Sequence, residues 1–148
     1  MSCQADAEPL IEFLYEDTSF VLDEQEELIR WIMQVVQAHQ FNLVNLTYIF
    51  CSDEYLQQVN QEFLSKDYYT DIITFDNSDV ADSIEGDIFI SVDRVRENAE
   101  ERSLTFRDEL HRVIIHGVLH LLGHTDKHLL SQTAMRHKED SCLTLRSF

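Results

Sequence analysis

Apolar residues along the chain fall into alternating strand-like and helix-like stretches. Ile11-Glu12-Phe13-Leu14-Tyr15 has the apolar content of a strand. Asp23 to Gln40 predicts a helix, with Asp23 as N-cap and Glu26 three residues on in a capping-box arrangement. Leu28, Ile29, Ile32, Val35 and Val36 form its apolar face. Leu43 to Cys51 alternates as a strand, and Ser52 is placed to cap a helix through Leu64. In that helix Leu56, Val59, Asn60 and Phe63 recur at helical spacing. Ile72 to Phe75 and Ile88 to Val92 predict two short buried strands, the second entered through Glu85-Gly86-Asp87. Asp76 to Glu85 between them is a polar, acidic loop. Asp93 to Arg102 predicts a charged surface helix. Thr105 with Asp108 caps a largely apolar helix to Leu122, and Leu129 to Leu145 predicts the last helix. Strands alternating with helices predict an α+β layer fold: one compact domain over residues 1–148, with a small mixed sheet flanked by helices.

Composition narrows the class. A chain of 148 residues with 44% apolar and 26% charged side chains can bury a core and reads as soluble and globular. No apolar run approaches the roughly 18 residues of a membrane helix, so no membrane partner is expected. Residues 1–9 lack the basic start and apolar run of a secretory signal. Cys3, Cys51 and Cys142 are odd in number and widely spaced, which reads as reduced thiols in a cytoplasmic protein. The net charge of −17 argues against general affinity for nucleic acid. Its distribution changes that picture: residues 1–93 carry 2 basic and 20 acidic side chains, residues 94–148 carry 9 and 8. The acidic part is either solvated surface that maintains solubility, or the side turned away from a polyanion that the last third faces.

The chemistry concentrates between His116 and Asp126. His116 and His120 sit four apart in an apolar run, one helical turn, and so share a face. Two neutral imidazoles at that spacing can grip one zinc ion. Histidines recur at 116, 120, 124 and 128, but residues eight apart on a helix lie about 12 Å apart along its axis. One ion can therefore take His116 with His120, or His120 with His124. Gly123 offers the left-handed position at which a helix stops, which favours the first pair. The third ligand is then Asp126, returned by the turn, with His124 as competitor. Asp126 also suits an N-cap of the last helix. Three ligands leave a position for water, the layout of a catalytic metal site. Zinc peptidases of the HExxH type place a glutamate after the first histidine. Gly117 stands there, so a peptidase is disfavoured.

His116-Gly-x-Leu-His120-Leu-x-Gly123 resembles the signature of the YbeY family of metal-dependent endoribonucleases. Asn60-x-x-Phe63-x-x-Lys66-Asp67-x-x-Thr70-Asp71-Ile72-Ile73-Thr74-Phe75 is similar to that family's upstream block, and Gly86-Asp87-Ile88 to its next. Glu109, Met135 and Glu139 also fit, so the resemblance covers most of residues 55–140. It implies a compact domain with a metal near a cleft. It implies one zinc ion per chain, no small-molecule cofactor and single-stranded ribosomal RNA as substrate. The implied role is maturation of the small-subunit rRNA 3′ end, with the small ribosomal subunit as partner.

Two positions depart from the family pattern. The third metal position, usually histidine, is Asp126; the slot after the aromatic residue, usually arginine, is Leu64. Arg112, four residues before His116, is the candidate replacement cation at the reacting phosphate, with an ion pair to Glu109 as its other reading. Lys66 is the second candidate, as a substrate contact or as a solvated loop lysine. The alternatives to the ribonuclease are a zinc hydrolase of another substrate and a ribosome-associated assembly factor whose metal is chiefly structural. A metal-free RNA-binding module is opposed by the acidic balance.

Overall fold

The computed structural model describes residues 10–66, 70–124 and 126–148. Cys3, Asp67 and the segment read for a secretory signal lie outside the described residues. The elements run β1 (Ile11–Glu16), α1 (Gln25–Ala38), β2 (Asn42–Cys51), α2 (Asp53–Leu64), β3 (Ile72–Asp76), β4 (Ser83–Ser91), α3 (Val92–Glu101), α4 (Phe106–Leu121) and α5 (Leu129–Leu143). Among the described residues the strands form one four-stranded sheet in the order β1-β2-β4-β3. β1 and β4 both run parallel to β2, and β3 closes the edge antiparallel to β4. The expected α+β fold with a small mixed sheet is thus observed.

Period-two alternation divides β2, β3 and β4 between two cores, whereas β1 turns Ile11, Phe13 and Tyr15 to the larger one and its other face to solvent. On β2 and β4, Leu46, Tyr48, Phe50, Ile84, Ile88 and Ile90 face a large cluster built with α1 and α4. Cys51 and Ile73 face a smaller one with Leu56 and Val59 of α2, against which Phe89 packs. Fully burying such an aliphatic or aromatic side chain is worth about 1.5–3 kcal/mol. The two clusters therefore fix which face of the sheet each helix covers.

Several local readings hold and several shift. The Ser52 hydroxyl accepts from Tyr55 N, and that of Thr105 from Asp108 N, as N-caps of α2 and α4. The N-cap of α1 is Glu24 rather than Asp23, in the left-handed region at φ 61° and with no side-chain cap. The Glu24 carboxylate is taken instead by Arg107, at 2.9 and 3.2 Å. β4 starts at Ser83, so Glu85-Gly86-Asp87 lies inside the strand and the acidic loop is shorter than expected. α3 is not simply a surface helix: Val92, Val95 and Ala99 are buried. Cys51 and Cys142 are free and buried.

Candidate active site

α4 carries the histidines and crosses the sheet at Gly117. A Cβ there would lie 2.7 Å from Ile88 Cδ1 and 3.2 Å from Ile72 Cδ1. The residue after His116 therefore faces the sheet, and a glutamate at that position has neither room nor a view of the cleft. Just above, the Tyr48 hydroxyl donates to Ile114 O at 2.9 Å. α4 ends as the glycine predicted. Gly123 adopts φ +102°, its N–H donates to His120 O, and His124 N donates to Leu119 O. That pair of bonds is a Schellman motif, which reverses the chain and brings Asp126 back towards α4. Asp126 does not cap α5, whose N-cap is His128.

A cleft of about 760 Å³ opens along α4, between that helix, α5, β3 and the end of α2. His116, His120 and Asp126 all line it. His116 Nε2 lies 3.4 Å from Asp126 Oδ2. That exceeds the 2.7–3.2 Å typical of a hydrogen bond. It is close to the separation, about 3.3 Å, of two atoms that each sit roughly 2.0–2.1 Å from one tetrahedral ion. The His120 ring is exposed, its centroid 6.2 Å from that of His116. Among the described residues no three donor side chains are gathered closely enough to hold an ion as they stand. Two of the expected ligands meet, and the third stands at the rim one helical turn on. His124 is elsewhere: its Nε2 is 3.2 Å from His39 Nε2, and the two rings are perpendicular.

The other face of His116 is anchored. Its Nδ1 lies 2.6 Å from Glu139 Oε2, and Glu139 Oε1 accepts from Arg112 Nη1 at 2.9 Å. Arg112 Nη2 donates to Asp140 at 2.6 Å. Arg112 therefore pairs with Glu139 and Asp140, not with Glu109 as one reading of its spacing had it. Burial works against charge on both members of the His116–Glu139 pair, and their contact overrides it. Hydrogen bonding to Glu139 and the nearby carboxylates raise the His116 pKa. The same bond and that of Arg112 hold the Glu139 carboxyl below its usual range. An imidazole whose Nδ1–H is held by a carboxylate presents the Nε2 lone pair outwards, which is how metal-ligating histidines are oriented. On this donor chemistry the residues fit a bound divalent metal.

Glu139 was singled out in sequence only by resemblance. Nothing in local spacing marks it, because it lies 23 residues beyond His116 on another helix. Lys66 and Leu64 line the same cleft, the leucine 40% exposed. Glu109 is fully buried, with Arg102 Nη1 on Oε2 and no partner for Oε1 among the described residues. Burial raises its pKa despite the nearby arginines.

Comparison with known proteins identifies this architecture. The family model described as "Endoribonuclease YbeY" matches residues 11–146. A protein of that name from Cytophaga hutchinsonii is 52% identical over 141 residues, covering 95% of this chain and 99% of the relative. The Porphyromonas gingivalis protein is 44% identical, covering 91% and 89%. The solution structure of TM1509 from Thermotoga maritima superposes with a TM-score of 0.63 at 28% identity, covering 90% of this chain and 86% of that one. With a family match spanning nearly all of the described sheet and helices, the chain belongs to the YbeY family.

Proposed function

We propose that this chain is a metal-dependent endoribonuclease that cleaves single-stranded RNA in the maturation of the small-subunit rRNA 3′ end. In this reading residues 1–148 act as one metallohydrolase domain, cytoplasmic and working on the small ribosomal subunit. One zinc ion would be held by His116, His120 and Asp126. The observation that carries the proposal is His116, with Nδ1 held by Glu139 and Nε2 facing Asp126 in the cleft. Nitrogen and carboxylate donors suit zinc. When bound, the ion supplies Lewis-acid charge stabilisation and acidifies water at the site.

The chain's own residues supply the rest. Glu139 fixes the His116 tautomer, and Arg112 fixes Glu139. Arg112 thus acts through the ligand rather than on the phosphate, because both its terminal nitrogens are engaged. Lys66 also lines the cleft and adds positive charge to the path of the RNA. No helix is long and apolar enough to cross a membrane among the described residues. The test is cleavage of a labelled single-stranded RNA by zinc-loaded protein. Cleavage is expected to stop on chelation and to fall at least about 100-fold in His116→Ala, with duplex RNA left intact. Absence of cleavage by the loaded protein, or undiminished cleavage by His116→Ala, overturns the reading.

A further inference from the structure

Among the described residues four lysine or arginine side chains line the cleft, and three are committed elsewhere. Arg112 spends both terminal nitrogens on Glu139 and Asp140. Arg102 is drawn to the buried Glu109. Lys66 has a partner of its own. The fourth, Arg136, makes no ion pair or side-chain hydrogen bond with any described residue, yet it is exposed and lines the cleft. It sits on α5 three residues before Glu139 and four after Gln132, so all three share the helix face turned to the cleft. The Gln132 amide is likewise exposed in the cleft, without a side-chain partner among the described residues. A guanidinium fork next to an amide, one turn from the carboxylate that holds His116, suits a phosphodiester group. The surrounding charge strengthens the case. A protein of net charge −17 repels a polyanion at long range, so binding has to rest on uncommitted cations at the site itself.

We propose that Arg136, assisted by Gln132, grips a backbone phosphate of the single strand in the cleft and sets its position relative to His116 and Asp126. The inference rests on the ribonuclease reading and names the residue that holds its substrate. Arg136 carries the phosphate contact for which the sequence offered Arg112 and then Lys66 as candidates.

The experiment is fluorescence anisotropy of a labelled 2′-O-methyl single-stranded RNA on the metal-loaded protein, over about 50–200 mM salt. Arg136→Gln, Arg136→Lys and Arg30→Gln are compared. Arg30 is an exposed arginine on α1 that lines a separate hollow, so its variant removes the same charge away from the cleft. Arg136→Gln is expected to weaken binding about tenfold and to reduce the slope of log affinity against log salt by about 0.7, one phosphate contact on a single strand. Arg136→Lys is expected to keep the slope, and Arg30→Gln to match wild type. A purely structural role for Arg136 would leave the slope unchanged. An unchanged slope in Arg136→Gln, an equal loss in Arg30→Gln, or no binding by the wild type at the lowest salt overturns the inference. Cleavage of ordinary RNA separates the two readings. Binding that depends on Arg136 without cleavage removes the ribonuclease but keeps the contact; cleavage with Arg136-independent binding does the reverse.

Discussion

Glu139 is 5% exposed and uses both carboxylate oxygens, one on Arg112 and one on His116. Removing it leaves an imidazole N–H and a guanidinium nitrogen without their acceptor in a half-dry wall. Glu139→Ala is therefore expected to lower zinc affinity about 10–100-fold, the usual cost of losing a carboxylate behind a histidine ligand. Competition with a chromophoric chelator measures this, with circular dichroism to check the fold. Unchanged affinity would mean that His116 is oriented by something else. At this scale the sequence was informative wherever chemistry follows local spacing. The His116–His120 turn, the Gly123 reversal and the return of Asp126 were all readable. The partner of Arg112 was not, because the local candidate Glu109 is buried beneath the end of α3 and taken by Arg102. Arg136 carried no signal either, since an exposed helical arginine looks the same whether it faces bulk water or a cleft.

Two glycines set how closely elements approach. A Cβ on Gly86 would lie 2.5 Å from the Phe75 carbonyl oxygen, a backbone atom in the β3–β4 ladder. On Gly117 its nearest neighbour is the far end of the Ile88 side chain, at 2.7 Å. A side-chain end can shift and a laddered carbonyl cannot. Gly117→Ala is accordingly expected to cost about 1–3 kcal/mol of overpacking, less roughly 1 kcal/mol regained in helix propensity. Gly86→Ala should cost more. Urea melts at equal m-value rank the two, and the reverse order would mean that β3 can slide away from β4. The same glycine explains a misread boundary. Gly86 looked like the entrance to a strand but lies inside one, because close approach rather than a turn requires it. Glu24, the N-cap of α1, pairs with Arg107, a contact that no local window contains. Element type was legible from periodicity. The order β1-β2-β4-β3 was not, because it depends on pairings between distant segments.

At the scale of the whole molecule, acid stability turns on a histidine far from the cleft chemistry. His111 is 2% exposed, packed between Trp31 and Phe148, and its Nδ1 accepts from Arg146 Nη1 at 2.8 Å. Accepting that bond requires a neutral ring. Burial, then the charges of Arg146 and Arg107, push its pKa down to about 4, against the weaker pull of Glu24 and Asp108. In the unfolded chain the same ring titrates near 6.5. Between those two values the unfolded state binds a proton that the folded state refuses. The contribution of His111 to stability is thus complete above about pH 6.5 and is lost as pH falls towards 4, at up to about 1.4 kcal/mol per pH unit and about 3 kcal/mol in all. Another effect of acidification runs the other way, because protonating carboxylates on a chain of net charge −17 relieves self-repulsion. The raw pH profile of the wild type mixes the two, and a difference measurement separates them. His111→Gln keeps an acceptor for Arg146 and removes the titration. Its stability should lie below wild type near neutrality and converge with it, by roughly 3 kcal/mol, as urea melts are taken down to about pH 4. Curves that stay parallel through that window would show that protonation of His111 is not what couples this fold to acid.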